Sequence, residues 1–331
     1  MRILYFHKEF LTSMYQWQHV HILDELQHHN CFVDVFNPLD YSSLDEANEK
    51  LVQKCKVYKY DLFMTPHNEE VIYINTIRDI KSLGIPTLLI CFDSLMTPLK
   101  HKNVAPLFDA VMISQKDEKG IFSSYNKNTI VSHYAANPFY FKADCKVKEI
   151  MRICFPGTPY GSRMVELVKL ANNKIPLDLY YNQNTENNNI TKSKRDLFEK
   201  ARTISQLLRY EEGRKVLEGA ALSKIKKKVF FDPITSDVNI APSVNLKETN
   251  QIYASHALSL SIGIGRNTGY LKNPIQIVHL RNFEIPMSGG VQFCQYFDEL
   301  SECFEENKEI IFYRSQEEML EKARYYLLPE N

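Results

Sequence analysis

Short runs rich in β-branched and aromatic residues alternate with segments whose apolar residues recur at helical spacing, and this happens twice along the chain. Such alternation is the signature of a parallel sheet covered by crossover helices, so each series predicts one α/β sheet. In the first series, residues 2–6 read as a strand. Trp17, Val20, Leu23 and Leu26 follow at helical intervals, and residues 31–36 resume a strand, closing a βαβ unit. Further strands are expected at 62–65, 87–91, 110–114 and 129–132, with helices near 70–83 and 116–124 and a turn at Gly84 and Pro86.

The second series begins at Met151. A strand over 152–155 enters the turn Gly157 to Arg163, followed by an amphipathic helix over 164–170 and a strand over 177–181. The polar run 181–189 reads as an exposed loop, and helices follow to about residue 228. Next come a short strand at Phe230 and Phe231, a helix over 247–254, a strand over 257–262 and a helix over 274–285. Strands over 291–295 and 309–312 and a helix over 316–327 complete the series. The charged stretch 142–149 lacks apolar periodicity, which predicts domains over 1–145 and 150–331. The expected fold class is α/β, two Rossmann-like domains facing each other across a cleft, with the carboxyl ends of the strands turned toward it.

Composition narrows the function. The 331 residues carry 40 basic and 40 acidic side chains, so no global field is available to hold a polyanion, and a nucleic-acid polymer is not an expected partner. No apolar run reaches the length of a membrane span, and the opening residues read as a charged strand rather than a signal peptide, which predicts a cytoplasmic protein. Seven cysteines (Cys31, Cys55, Cys91, Cys145, Cys154, Cys294, Cys303) show neither CxxC nor zinc spacing, as expected in a reducing compartment. No DxD-type pair stands at a strand end, and Walker A, GxSxG and HExxH patterns are absent, so no metal or cofactor is expected. The glycines of GIGRNTG do not have dinucleotide-binding spacing.

Several residues are placed to do chemistry. Asn273 and Pro274 suit a helix start, and Gly289 with Gly290 suits its end in a left-handed turn. The amides of that first turn can bind a phosphate at the preceding loop. Arg281 and Glu284, three apart, share a helix face. A carboxylate there can accept two ribose hydroxyls, or the two can form a surface ion pair. In the turn Gly157 to Arg163, the glycines permit close approach of a diphosphate, which Arg163 can bind, with Tyr160 beside it. His7, His67 and Asp93 follow first-series strands and are the candidate bases for an acceptor hydroxyl, although Asp93 can equally cap the next segment. The lysine-rich run 224–228 reads as a solvated face, with peripheral contact to an anionic membrane as its functional alternative.

The stretch IYASHALSLSI, the core RNFEIPMSGG, the segment from Leu300 to Leu327 and, more loosely, CFPGTPYGSR resemble the glycosyl transferase group 1 domain of the CgeB-like family, within the GT-B superfamily and related to glycosyltransferase family 4. The resemblance implies a glycosyltransferase with a GT-B fold and a nucleotide-sugar donor in the second domain. It also implies that Glu284 holds the donor ribose and that no bound metal is needed. Donor contacts are expected from Glu284, Arg281, Gly157, Tyr160, Arg163, Asn273 and Gln276. The acceptor is a hydroxyl of a glycan, lipid, protein or small molecule. Retaining relatives in family 4 usually carry a second glutamate eight positions before the first, and this chain has Gln276 there, which leaves the stereochemical outcome open and leaves Gln276 as a sugar contact. Relatives often continue with a helix packing back on the first domain, whereas this sequence stops at Asn331. These departures motivate an alternative, a non-catalytic nucleotide-sugar-binding subunit or sensor.

Overall fold

Each series of strands forms one six-stranded, wholly parallel sheet in the computed structural model, which describes residues 1–9, 13–143, 149–182, 197–226, 237–328 and 330. The chain divides into two units, Met1–Asn137 and Pro138–Asn331.

The first sheet consists of β1 (Arg2–Phe6), β2 (Phe32–Phe36), β3 (Leu62–Thr65), β4 (Thr87–Cys91), β5 (Ala110–Ile113) and β6 (Thr129–Val131). Their order is β2-β1-β3-β4-β5-β6. The central strand β1 is apolar at Ile3, Leu4, Tyr5 and Phe6 because both of its faces are covered. Alternate side chains enter different cores: Leu4 and Phe6 join Phe63, Leu89 and Val111, whereas Ile3 and Tyr5 join Leu23, Val33, Met64 and Ile90. The first of these cores packs under a Leu44–Val57 helix that the periodicity did not predict. Its buried stripe, Ala47, Leu51 and Cys55, is one residue wide, and the buried residue beside it is polar. Asn48 donates to the carbonyls of Leu44 and Val71 and accepts from the Tyr73 amide, so a hydrogen-bonded amide sits where the pattern calls for a hydrophobe.

The second sheet consists of β7 (Ile150–Pro156), β8 (Leu177–Tyr180), β9 (Val238–Ala241), β10 (His256–Ser261), β11 (Gln292–Gln295) and β12 (Ile311–Tyr313), ordered β12-β11-β10-β7-β8-β9. The chain steps outward from β7 through β8 to β9, returns to the other side of β7 as β10, and steps outward again. Connections leaving β7 and β10 therefore diverge, opening a crevice at their carboxyl ends, where ligands of such sheets bind. In the first unit the same reversal lies between β1 and β3.

One expectation is corrected. The helix expected over 274–285 is instead a seven-residue helix, Arg281–Met287. Residues 275–277 are extended and pair antiparallel with 263–265, the Ile277 amide donating to Gly263 at 2.7 Å and the Gly265 amide to Ile275 at 2.9 Å. Ile275, Ile277 and Val278 fit a strand period as well as a helical one, and pairing to the chain leaving β10 decides between them. Asn273 consequently caps no helix. The two units part at Asn137 and Pro138, a few residues before the charged stretch 142–149. The strand expected at Phe230 and Phe231, most of the loop over 181–189, Cys145 and Lys227 and Lys228 lie outside the described residues. The outer strand β9, short and half exposed, lacks the apolar run that would have announced it.

Candidate functional site

At the reversal point of the second sheet, β7 ends at Pro156, and Gly157 begins the turn leading to the Arg163–Asn172 helix. A Cβ on Gly157 would stand 2.7 Å from a guanidinium nitrogen of Arg281, so glycine leaves that side chain room to lie directly against the strand end. Arg281 also lies over the Phe155 ring, its Cζ 5.5 Å from the centroid. Two residues 124 positions apart in sequence are thus brought together, because the connection leaving β10 folds back on itself before its helix starts.

The loops that make this crevice interlock. At Gly161, in the left-handed region at φ +57°, a Cβ would overlap the side-chain oxygen of Asn267, and at Gly269 it would stand 2.7 Å from Ser162 Oγ. Ser162 Oγ donates to the Arg266 carbonyl at 3.1 Å. Arg163 stacks its guanidinium over Tyr160, 4.5 Å from the ring centroid, which holds a second cation at the start of the helix. Both arginines act on His279, whose half-buried ring is kept well below its ordinary pKa first by desolvation and then by the Arg281 and Arg163 charges. His279 is therefore neutral, and the positive potential of the site belongs to the two guanidinium groups.

Glu284 is buried on the same short helix as Arg281, at 7% exposure, and not on the outer surface. Tyr253, fully buried, lies within the influence of both Arg281 and Glu284, and burial holds its hydroxyl protonated. Asn282 fixes the helix start: its side-chain oxygen accepts from the His279 amide at 2.9 Å, and its nitrogen donates to Ser261 Oγ at the end of β10 at 3.1 Å. The helix ends at Gly289, left-handed at φ +72°, as its sequence predicts.

Gly157, Arg163 and Arg281 thus converge, with Tyr160 under Arg163 and Glu284 one helical turn beyond Arg281. Asn273 is exposed in a bend and does not occupy the helix-start position that had suggested its role, while Gln276, expected as a sugar contact through the family resemblance, lies in the extended pair with Ile264. His279, Tyr253, Asn282 and Asn267 were not foreseen. Each acquires its place through the fold, and none stands in a local pattern.

On the first unit, His7 follows β1 and His67 follows β3, across that sheet's reversal point. Their rings stack at 5.6 Å, and His67 Nε2 accepts the Lys8 amide at 2.9 Å. Both ring nitrogens of His7 are buried without a hydrogen-bond partner among the described residues. Burial is the main cause that lowers His7 to about 4 and His67 to about 3, so both are neutral near pH 7. Asp93, exposed after β4 and left-handed at φ +50°, makes no capping bond and instead accepts from the Tyr134 hydroxyl at 2.9 Å. Glu118 lies nearby at 0% exposure, pushed up to about 8 by burial, with the charge of Asp93 adding to the shift.

Among the described residues no group of three His, Cys, Asp or Glu side chains is placed to hold a metal ion. Also among them, no helix is long and apolar enough to cross a membrane.

Comparison with known proteins agrees with this architecture. Residues 195–331 match the family described as Glycosyl transferase-like. No protein of curated function matches the chain. Among solved structures, HepE from Anabaena, in complex with UDP and glucose, is 12% identical with a TM-score of 0.56, covering 100% of this chain and 90% of its own. AviGT4, a glycosyltransferase of avilamycin A biosynthesis, is 12% identical with a TM-score of 0.56, covering 99% of this chain and 88% of its own. An alpha-glucosyltransferase in complex with UDP and a 13-mer DNA is 10% identical with a TM-score of 0.57, covering 99% and 89%. The chain has the GT-B fold seen in these structures, and its residues 195–331 are similar to the glycosyl transferase-like family.

Proposed function

We propose that the protein transfers a sugar from a nucleoside-diphosphate donor to a hydroxyl acceptor, with the donor held at the reversal point of the second sheet. The observation that carries this reading is the Arg281 guanidinium lying against Gly157 at the tip of β7, with Arg163 at the start of the next helix. Two planar cations at the carboxyl edge of a parallel sheet match the geometry and charge of a diphosphate, and they can neutralise the leaving group without a metal. Glu284, on the helix of Arg281, is the acceptor for the donor ribose hydroxyls. The UDP held by HepE and by the alpha-glucosyltransferase makes UDP-sugars the first donors to test.

In transfer, the acceptor oxygen bonds to the anomeric carbon, the bond from that carbon to the diphosphate oxygen breaks, and the acceptor proton goes to a base. We assign the base to Asp93. Its carboxylate is exposed and oriented by Tyr134, whereas the ring of His7 is buried, that of His67 half-buried, and both are weakly basic. A glycan, lipid, protein or small molecule can supply the hydroxyl.

The test is nucleotide release from UDP-sugars with and without hydroxylated acceptors. Acceptor-dependent release is expected. Thermal stabilisation by the nucleotide sugar without turnover would identify a binding subunit instead, and neither effect with any nucleotide sugar would contradict the donor site.

A further inference from the structure

A recess of about 220 Å³ opens beside the Arg163 turn, bounded by Ser162, Glu166, Gly269, Lys272, Gln295 and Tyr313 among its lining residues. Glu166 lies three positions after Arg163 on the same helix, so the two share a face. Its carboxylate is buried, and the hydroxyl of Tyr313, at the end of β12, donates to it. This carboxyl thus stands between a cation of the donor site and a neutral hydrogen-bond donor.

We propose that Glu166 is a positioning residue for the donor: its proton decides how much of the Arg163 charge is presented to the diphosphate, so affinity falls as the carboxyl ionises. This rests on the donor site proposed above. The groups around Glu166 allow the switch. Burial pushes its pKa up to about 7, while the Tyr313 bond and the Arg163 charge pull the other way. Tyr313 is itself raised well above its ordinary value by burial and stays a donor. Cys294 is pushed up to about 12 and stays neutral, and His279 on the far side of Arg163 is neutral as well. Lys272 and Arg314 also line the recess, Arg314 with its guanidinium paired to Glu306. Glu166 is therefore the group in this cluster that changes charge near neutral pH. When it is protonated the turn carries the full arginine charge; when it is ionised the two form an i, i+3 pair and the net attraction for an anion is reduced.

The experiment measures the Kd of UDP-glucose, UDP-galactose and UDP-N-acetylglucosamine from pH 6 to pH 8. Nucleotide sugars are the right probes because free UDP has a terminal phosphate that itself titrates near pH 6. The wild type is expected to bind about threefold to tenfold more tightly at pH 6 than at pH 8, the size of a coupling of up to about one pKa unit. Glu166→Gln keeps the side chain's size and is expected to bind at the tighter value with no pH slope. Tyr313→Phe removes the donor that favours the ionised carboxyl, so the transition is expected at higher pH. A purely structural role for Glu166 would change affinity or Tm but leave the slope. A flat wild-type profile, or a slope retained in Glu166→Gln, overturns the inference while leaving the donor site standing. No binding of any nucleotide sugar at any pH overturns both.

Discussion

At the scale of single residues, the proposed donor site is a problem of charge and clearance. Arg281 lies where a Cβ on Gly157 would meet it, so glycine there leaves the cation room against the strand end. Removing a charge-assisted contact costs about 1.5–3 kcal/mol, so Arg281→Ala is expected to raise the Kd of a UDP-sugar about tenfold to a hundredfold, and to lower Tm as well because it also leaves the buried Tyr253 hydroxyl without its Arg281 bond. Arg281→Lys should recover only part of this, because an ammonium cannot present two parallel donors to a diphosphate. Calorimetric titration of both variants checks this. Asp93→Asn should leave donor affinity unchanged and slow acceptor-dependent nucleotide release at least a hundredfold, as loss of a general base does. Equal turnover in that variant would move the base elsewhere. Sequence could nominate these side chains but not rank them, since the burial that disables His7 and the hydroxyl that orients Asp93 come from residues distant along the chain.

At the scale of elements, two loops packed through glycine make the crevice. Gly269 stands where a methyl group would press on Ser162 Oγ and Cβ at 2.7 and 2.8 Å and on Ile264 at 3.2 Å. Gly269→Ala is expected to cost about 1–3 kcal/mol by overpacking and to weaken donor binding by parting the loops. The control is Asn245→Ala, which removes the capping box of the Leu246–Ser255 helix. It should cost about 1 kcal/mol and leave donor binding intact, both read by urea titration and by calorimetry. The elements themselves were legible wherever apolar residues and turn signals agreed. The strands of both sheets except β9 and the left-handed end at Gly289 follow from local pattern. The helix predicted from residue 274 was misread because Ile275, Ile277 and Val278 satisfy two periods, and only the chain they pair with settles which applies. The Leu44–Val57 helix was invisible because Asn48 replaces a hydrophobe with a satisfied amide.

At the scale of the whole molecule, the buried ionisable groups set how stability responds to pH, and the histidines and the carboxyls contribute with opposite sign. His7, His67 and His101 have folded pKa values lowered by burial to about 4, 3 and 4, so the unfolded chain binds more protons below their ordinary value near 6.5. Their contribution is lost as pH falls from about 6.5 toward 4. Glu118 and Glu166 are raised to about 8 and about 7, so the folded chain binds more protons, and their contribution is lost as pH rises through those values. Above about pH 7 the histidines are mostly neutral in both states. Stability should then fall from pH 7 to 8, with Glu118 supplying up to about 1.4 kcal/mol per pH unit. Glu118→Gln should flatten most of that fall in urea unfolding measured across the range, and an unchanged slope would mean that its carboxyl is ionised in the folded protein. The fold as a whole, two parallel sheets each reversing direction once, was open to sequence reasoning, because the alternation of strand and helix patterns permits little else. The meeting of Arg281 with Gly157 was not, because it depends on how the chain leaving β10 folds back before its helix. A crystal structure with a bound UDP-sugar tests that meeting most directly: the diphosphate is expected within hydrogen-bonding distance of the Arg281 guanidinium, with the ribose at Glu284, and a diphosphate bound away from both residues would contradict the account.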